Sequence, residues 1–191
     1  MCSSDLIVAV GMTIVILSGG IDLSVGSVIA FSGVFIAVLL RDTGLHPIVV
    51  FALLLAVTTT FGALMGGFIH LLGMPPFIVT LAGMFLARGA AYMLTIDSVP
   101  IRHAFYDAIQ SSYYLMPGKG RLTLIGVLML LSVAAGMLLA HRTRFGASVF
   151  ALGGGEATAR LMGVEVGRTT VLIYAFSGFM AGLSGIVFSI Y

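Results

Sequence analysis

Apolar residues run along this chain in long unbroken stretches, not in short alternation. A helix needs roughly 20 apolar residues to cross the hydrocarbon core of a bilayer. Pro47–Leu72 meets that length, with His46 and His70 as the possible titrating groups near its ends. Phe77–Ile96 meets it with one charge inside, Arg88, whereas Leu122–Ala140 and Val171–Tyr191 carry none. Leu6–Leu17 is too short to span alone and Gly26–Leu40 is marginal. Between them lies Ser18-Gly19-Gly20-Ile21-Asp22-Leu23-Ser24-Val25-Gly26, a polar, glycine-rich interruption. Transmembrane barrel strands alternate apolar and polar positions, so continuous runs predict an all-α, polytopic transmembrane helical bundle. Spans are expected at about 6–17, 24–40, 47–72, 77–96, 122–140 and 171–191, within one transmembrane domain over 1–191. The domain is expected to be incomplete at both ends, given the uncharged end at Tyr191, and Met1–Asp5, a poor start to a membrane helix, is expected to be foreign to the natural protein.

Composition sharpens the picture. Hydrophobic residues make up 60% of the 191 positions and charged residues 8%, with a mean hydropathy of +1.18. A soluble domain of this size carries about a quarter charged residues, so lipid must solvate this one. The net charge of +2 gives no footing for nucleic acid. One cysteine, Cys2, supports neither a disulfide framework nor a metal site by itself.

Two polar features fall inside the apolar pattern. Backbone that leaves the helical ladder at membrane depth is tolerated only against protein or a water-filled cavity, and broken helices are a recurrent way to build transporter sites. Ser18–Ser27 fits that description. It also fits, and more readily, a tight helix–helix turn at the membrane surface whose Asp22 or Ser24 caps the next helix. Arg88 falls near mid-membrane, where an arginine costs at least ~2.5 kcal/mol and turns toward the bundle interior or a partner. It either snorkels or pairs to fix packing, with Asp22 the available carboxylate, or it faces a substrate path. Gly83, Gly89 and Ala90 leave room for a neighbouring helix. Gly73-Met74-Pro75-Pro76 ends one span and opens the next, since proline donates no backbone hydrogen bond.

The polar segments between spans differ in character. In Asp97–Arg121 an amphipathic stretch, His103–Leu115, suits the membrane surface or a soluble partner, with Tyr113 and Tyr114 at the boundary. His141–Thr170 is the longest polar segment. It is expected as a loop carrying one short helix, Glu156–Met162, ended by Gly163. Glu156 and Arg160 sit one turn apart there, favourable for the helix dipole and as an i,i+4 pair. Such a helix suits docking into a partner's groove, or is an ordinary surface helix. Arg142, Arg144, Arg160 and Arg168 weigh weakly for a cytoplasmic 141–170 segment. That choice puts Gly73–Pro76 inside and Arg41–His46 and Asp97–Arg121 outside.

Catalysis has no visible home. Gly118-Lys119-Gly120 lacks P-loop spacing, and no lysine follows Gly153–Gly155, so no nucleotide site is expected. His46, His70, His103 and His141 lack metal-ligand spacing. Neither a Ser-His-Asp set nor His-Glu-x-x-His occurs, and no cofactor is implied. A membrane enzyme therefore has no support, while an ion-coupled carrier would have to use Asp22 and Arg88 as its coupling pair.

Ile16-Leu17-Ser18-Gly19-Gly20-Ile21-Asp22-Leu23-Ser24-Val25-Gly26-Ser27 resembles the signature of permease subunits of ribose/galactose-type sugar ABC importers. Gly153-Gly154-x-Glu156-x-x-Ala159-Arg160-Leu161-x-Gly163-Val164 resembles their coupling loop. Within that class, Pro75–Gly89, Ser98–Ile101, Ala140–Gly146 and Gly185–Tyr191 are similar to permeases for galactofuranose. The resemblance covers Ile7–Tyr191. It implies a multi-pass subunit of the bacterial inner membrane, partnered by a second, homologous permease, ATP-binding subunits and a periplasmic sugar-binding protein. The helix around Glu156–Gly163 would then sit in a cleft of the ATPase, and the sugar would cross by alternating access. A path for a neutral sugar wants hydroxyl-bonding groups and aromatic faces, for which Asp22, Phe77, Phe85 and Tyr92 are candidates beside Arg88. Ribose or another monosaccharide is the alternative cargo. The family's later spans would supply about half of any path, so this stretch alone is expected not to transport.

Overall fold

A computed structural model describes residues 2–97, 99, 100, 106, 113–115 and 121–190. In chain order the helices are α1 (Cys2–Leu17), α2 (Val25–Thr43), α3 (Pro47–Leu71) and α4 (Pro76–Leu94). Next come a two-stranded antiparallel ribbon, β1 (Tyr113–Leu115) and β2 (Arg121–Thr123), and then α5 (Leu124–Arg142), α6 (Arg144–Gly154), α7 (Glu156–Leu161) and α8 (Val166–Ile190). Five of these, α2, α3, α4, α5 and α8, are long and apolar enough to cross a membrane. The chain is thus a polytopic helical membrane protein.

The bundle is organised around α8, which packs against α1, α2 and α3. Burying one apolar helix against another gives little hydrophobic gain in lipid, so close backbone packing has to supply the attraction. The sequence provides it through small residues. Gly62 and Gly66 on α3 lie against Tyr174 and Thr170–Val171 of α8, while Gly178 and Gly182 on α8 lie against Thr58 of α3, Gly178 also against Gly62. A Cβ at Gly62 would run into the carbonyl of Tyr174, and one at Gly178 into the carbonyl of Thr58. Further up α8, Gly185 lies against Ser32 of α2, and Ser184 Oγ donates 2.9 Å to the carbonyl of Ser4 in α1. Ile173, Tyr174, Val187 and Ile36 are fully or almost fully buried in the resulting core. On α4 the inward stripe is Val79, Thr80, Gly83 and Ala87. Gly83 admits Met65 and Phe61 of α3, whereas Gly89 touches nothing.

All element ends fall into two groups. The α1–α2 connection, the α3–α4 turn, α7 and the start of α8 border one cavity. At the opposite end, Tyr106 packs edge-on against Phe51 of α3 and its hydroxyl lies 3.3 Å from Ser189 Oγ of α8.

Several expectations are corrected. His141–Thr170 is mostly helix, not loop. Thr143 caps α6 by accepting from the Gly146 amide at 3.2 Å, and a Cβ on Gly146 would collide with the Ala140 carbonyl, so α5 and α6 meet at a tight corner. The last span starts at Val166 instead of Val171. Residues 2–5 are helical, and Ser4 is buried against Ser184, because α8 runs far enough to receive them. Leu122 is in a strand, and α5 begins two residues later under the cap of Thr123. Tyr113–Leu115 pair as a strand with Arg121–Thr123 instead of ending an amphipathic helix. Apart from these three and Tyr106, His103–Leu115 lies outside the described residues.

Candidate functional site

Leu17 ends α1 after 16 residues, about 24 Å of helix and short of the ~30 Å hydrocarbon core. The chain then leaves the helical ladder. Gly19 adopts φ +78°, a conformation that side-chain-bearing residues rarely take, while the amides of Ser18, Gly19 and Gly20 turn back onto carbonyls of Ile14, Ile16 and Val15. Ile21 projects its carbonyl away from any helix. That oxygen accepts from Tyr174 Oη of α8 at 3.2 Å and, at a long 3.4 Å, from Thr80 Oγ1 of α4. Such partners are required where a free backbone group has no water.

Asp22 is 3% exposed. Its Oδ1 accepts from the Ser24 amide at 2.9 Å and from Ser24 Oγ at 2.6 Å, and its Oδ2 accepts from Ser177 Oγ at 2.7 Å. Ser24 occupies the N-cap position of α2, but its own side chain caps nothing; the Asp22 carboxylate holds Ser24 itself and, among the described residues, reaches no amide inside α2. Ser177 is the twelfth of the 25 residues in α8, so the break lies halfway along the bundle's central helix. The segment is thus a buried, hydrogen-bonded break, and the expected cap on α2 from Asp22 or Ser24 is not formed.

Arg88 does not reach this carboxylate. Among the described residues it forms no ion pair, and it is exposed on α4. At 3.6 residues per turn, Phe77, Phe85, Arg88 and Tyr92 fall within an arc of about 80°, and all four are exposed. They form a face turned away from the Val79–Ala87 stripe. The five sequence-derived path candidates thus divide into one buried residue and one outward face. An Asp22–Arg88 coupling pair, expected of an ion-coupled carrier, is absent because three hydroxyl and amide donors already satisfy the carboxylate.

At the cavity end, α7 is a single exposed turn and a half. Arg160 donates to Glu156 Oε1 at 2.6 Å across its surface. Ala159 is fully buried beneath, whereas Leu161 and Met162 are 89% and 62% exposed. The turn closes as the Val164 amide reaches the Ala159 carbonyl (3.0 Å) and Gly163 takes φ +80°, the left-handed terminator that glycine allows. Helix α7 ends at Leu161, one residue sooner than expected. Gly153 lies against the Leu17 carbonyl at the end of α1, while Gly154 has nothing within 4 Å. A cavity of about 420 Å³ separates α7 from the break. It is lined by Ser18, Gly20, His70, Glu156, Arg160 and Tyr174 among others. Among the described residues no group of three His, Cys, Asp or Glu comes together to hold a metal.

Three contributors were missed in the sequence: Ser177, Tyr174 and helix α6. Ser177 and Tyr174 lie in an uncharged run with no mark that they would meet position 22. Thr143 followed by Gly146 was a readable cap for α6.

The described residues thus define a helical membrane bundle with an internally broken helix and a short helix exposed at one end. The chain belongs to the family described as branched-chain amino acid transport system permease components, whose pattern matches residues 2–191. It is 55% identical over 185 residues to the inner membrane ABC transporter permease protein YjfF of Escherichia coli, covering 97% of this chain and 56% of that protein. It is 36% identical to the fructose import permease protein FruG of Bifidobacterium longum, covering 96% and 56% of the two chains. The ribose import permease protein RbsC of Escherichia coli is 35% identical, with 97% and 57% covered. The chain therefore spans a little over half the length of these relatives. No solved structure matches it. Membership and the five apolar helices place it in the inner membrane.

Proposed function

We propose that this chain forms part of the membrane-spanning subunit of an ATP-driven importer of a monosaccharide, galactofuranose, moved by alternating access. The observation that carries the proposal is α7, a short helix that pairs its charges with each other and leaves Leu161, and Met162 just after it, bare. Exposed apolar side chains on a single helical turn suit a groove in another subunit, here the ATP-binding subunit. A second, homologous permease and a periplasmic sugar-binding protein complete the assembly. The family description alone spans amino-acid carriers; the sugar assignment draws on relatives whose names specify ribose and fructose import. Those names favour, as the alternative, a pentose or another hexose. The Phe77–Phe85–Arg88–Tyr92 face would supply the hydroxyl-bonding and aromatic chemistry that a sugar path needs, and Asp22 would join it only in a state in which Ser24 and Ser177 release its carboxylate. ATP hydrolysis belongs to the partner, and switching requires that each state be stabilised differently by sugar and nucleotide.

Labelled-sugar uptake by the full-length protein, expressed with its ATPase, second permease and binding protein, tests this. ATPase-dependent uptake preferring galactofuranose over ribose and galactopyranose is the expected result. Preference for another sugar would discard the substrate, and uptake indifferent to the ATPase would discard the class.

A further inference from the structure

The α7 docking turn and the α1–α2 break are 130 or more positions apart in sequence, yet one close contact joins them. Helix α6 runs directly into Gly155 and α7. Its penultimate residue, Gly153, sits so near the end of α1 that a Cβ there would overlap the carbonyl of Leu17, with Ser18 next in line. Backbone meets backbone, with no side chain between to absorb a displacement. Beyond Leu17 each peptide of the break is held: Ser18, Gly19 and Gly20 by their amides, Ile21 by Tyr174, and Asp22 by Ser24 and Ser177. Gly20 is itself pressed on the Tyr174 hydroxyl, 2.8 Å from where its Cβ would stand. Elsewhere the route is open, because the cavity separates Glu156 and Arg160 from Gly20 and His70. Movement of α7 therefore reaches the end of α1 by backbone contact along α6, beside its own contacts with α8, whereas the way across the cavity is empty.

We infer that Gly153 is a positioning residue for coupling, the point through which a partner's push on α7 reaches the Asp22 break and, through Ser177, the middle of α8. It touches neither sugar nor nucleotide. The inference rests on the proposed docking role of α7 and adds the route inward from it. Packed elements with two discrete arrangements transmit such coupling, whereas a gap does not.

The neighbouring glycine provides the control. Gly154 belongs to the same helix, has ordinary φ, and meets nothing within 4 Å. In the full-length permease assembled with its ATPase and binding protein, Gly153→Ala should retain the ATPase on co-purification and keep basal ATP hydrolysis, while sugar-stimulated hydrolysis and uptake both fall at least fivefold. Gly154→Ala should leave all four unchanged. Equal behaviour of the two variants overturns the inference. Loss of ATPase from the unmodified complex would instead overturn the docking role of α7. Should Gly153→Ala fail to insert, spin labels on Ser18→Cys and Ala157→Cys replace it. Their separation should stay constant between nucleotide-free and ATP-bound complexes while each shifts relative to α5, and a change in that separation would equally sink the inference.

Discussion

Ser177 Oγ donates a 2.7 Å hydrogen bond to Asp22 Oδ2 across 155 positions of sequence, joining the middle of the central helix to the point where α1 and α2 part. Both residues are almost fully buried. The bond makes the break a part of the core instead of a surface turn.

Removing the acceptor should therefore destabilise the bundle. Asp22→Ala leaves the Ser24 amide, Ser24 Oγ and Ser177 Oγ without their partner, a loss of about 1–3 kcal/mol for unsatisfied buried donors. Asp22→Asn keeps one acceptor oxygen and should lose less. Thermal unfolding of the purified full-length permease in detergent would rank the two, and equal midpoints for Asp22→Ala and the parent would refute the expectation.

Close packing of α3 on α8 yields a second test. Gly178→Leu inserts a side chain where the Thr58 carbonyl already stands; overpacking typically costs about 1–3 kcal/mol, and rigid backbone makes the upper end the expected one. Gly67→Ala, on the same helix α3 but facing open space, should be silent. Membrane yield and protease resistance would separate them.

Docking should be sensitive to Leu161 and indifferent to the ion pair's own strength. Both partners of the Glu156–Arg160 pair are more than half exposed, and exposed pairs contribute about 0–1 kcal/mol. Glu156→Gln should therefore leave the melting temperature unchanged. Leu161→Asp, also silent for folding, should reduce ATPase stimulation by roughly tenfold, equivalent to about 1.4 kcal/mol of lost contact. Stimulation assays on co-purified complexes measure this; intact coupling in Leu161→Asp would remove α7 from the docking role.

Arg88 is expected to behave differently from Asp22. With no carboxylate partner among the described residues, Arg88→Leu should leave the unfolding midpoint in place. If its face lines the sugar path, uptake should show a raised KM together with a lowered maximal rate. A drop in stability with transport unaffected would assign Arg88 to packing instead.

Long apolar runs made the helices legible, because in lipid a helix must satisfy all its own backbone groups and little else competes. The same physics hid the polar contacts. Tyr174 and Ser177 look like ordinary members of an uncharged span until the fold brings Ile21 and Asp22 against them. Arg88 and Asp22 looked complementary by charge alone, yet α4 turns Arg88 outward, and serine hydroxyls reach the carboxylate first. The Gly62–Gly66 and Gly178–Gly182 spacings were present as small-residue pairs, but each pair packs chiefly on non-glycine residues of the other helix, so their spacing alone did not give the α3–α8 register. Glu156, Arg160 and Gly163 were readable because their interactions are local, within one turn of chain. Helix α6 was lost among glycines that read as loop but serve as close-packing sites.

The helix that everything leans on is made after the helices it holds. Gly178 leaves the ribosome on the order of a hundred residues behind Gly62, which at about 5–20 residues per second is a wait of roughly 5–20 s. Throughout that interval the groove on α3 and the end of α1 face lipid or the insertion machinery, with Ile21 and Asp22 lacking the Tyr174 and Ser177 hydroxyls of α8. Assembly of this bundle is therefore delayed until α8 arrives, and a ribosome pausing between α5 and α8 would prolong the period in which a chaperone or a protease meets an unfinished core.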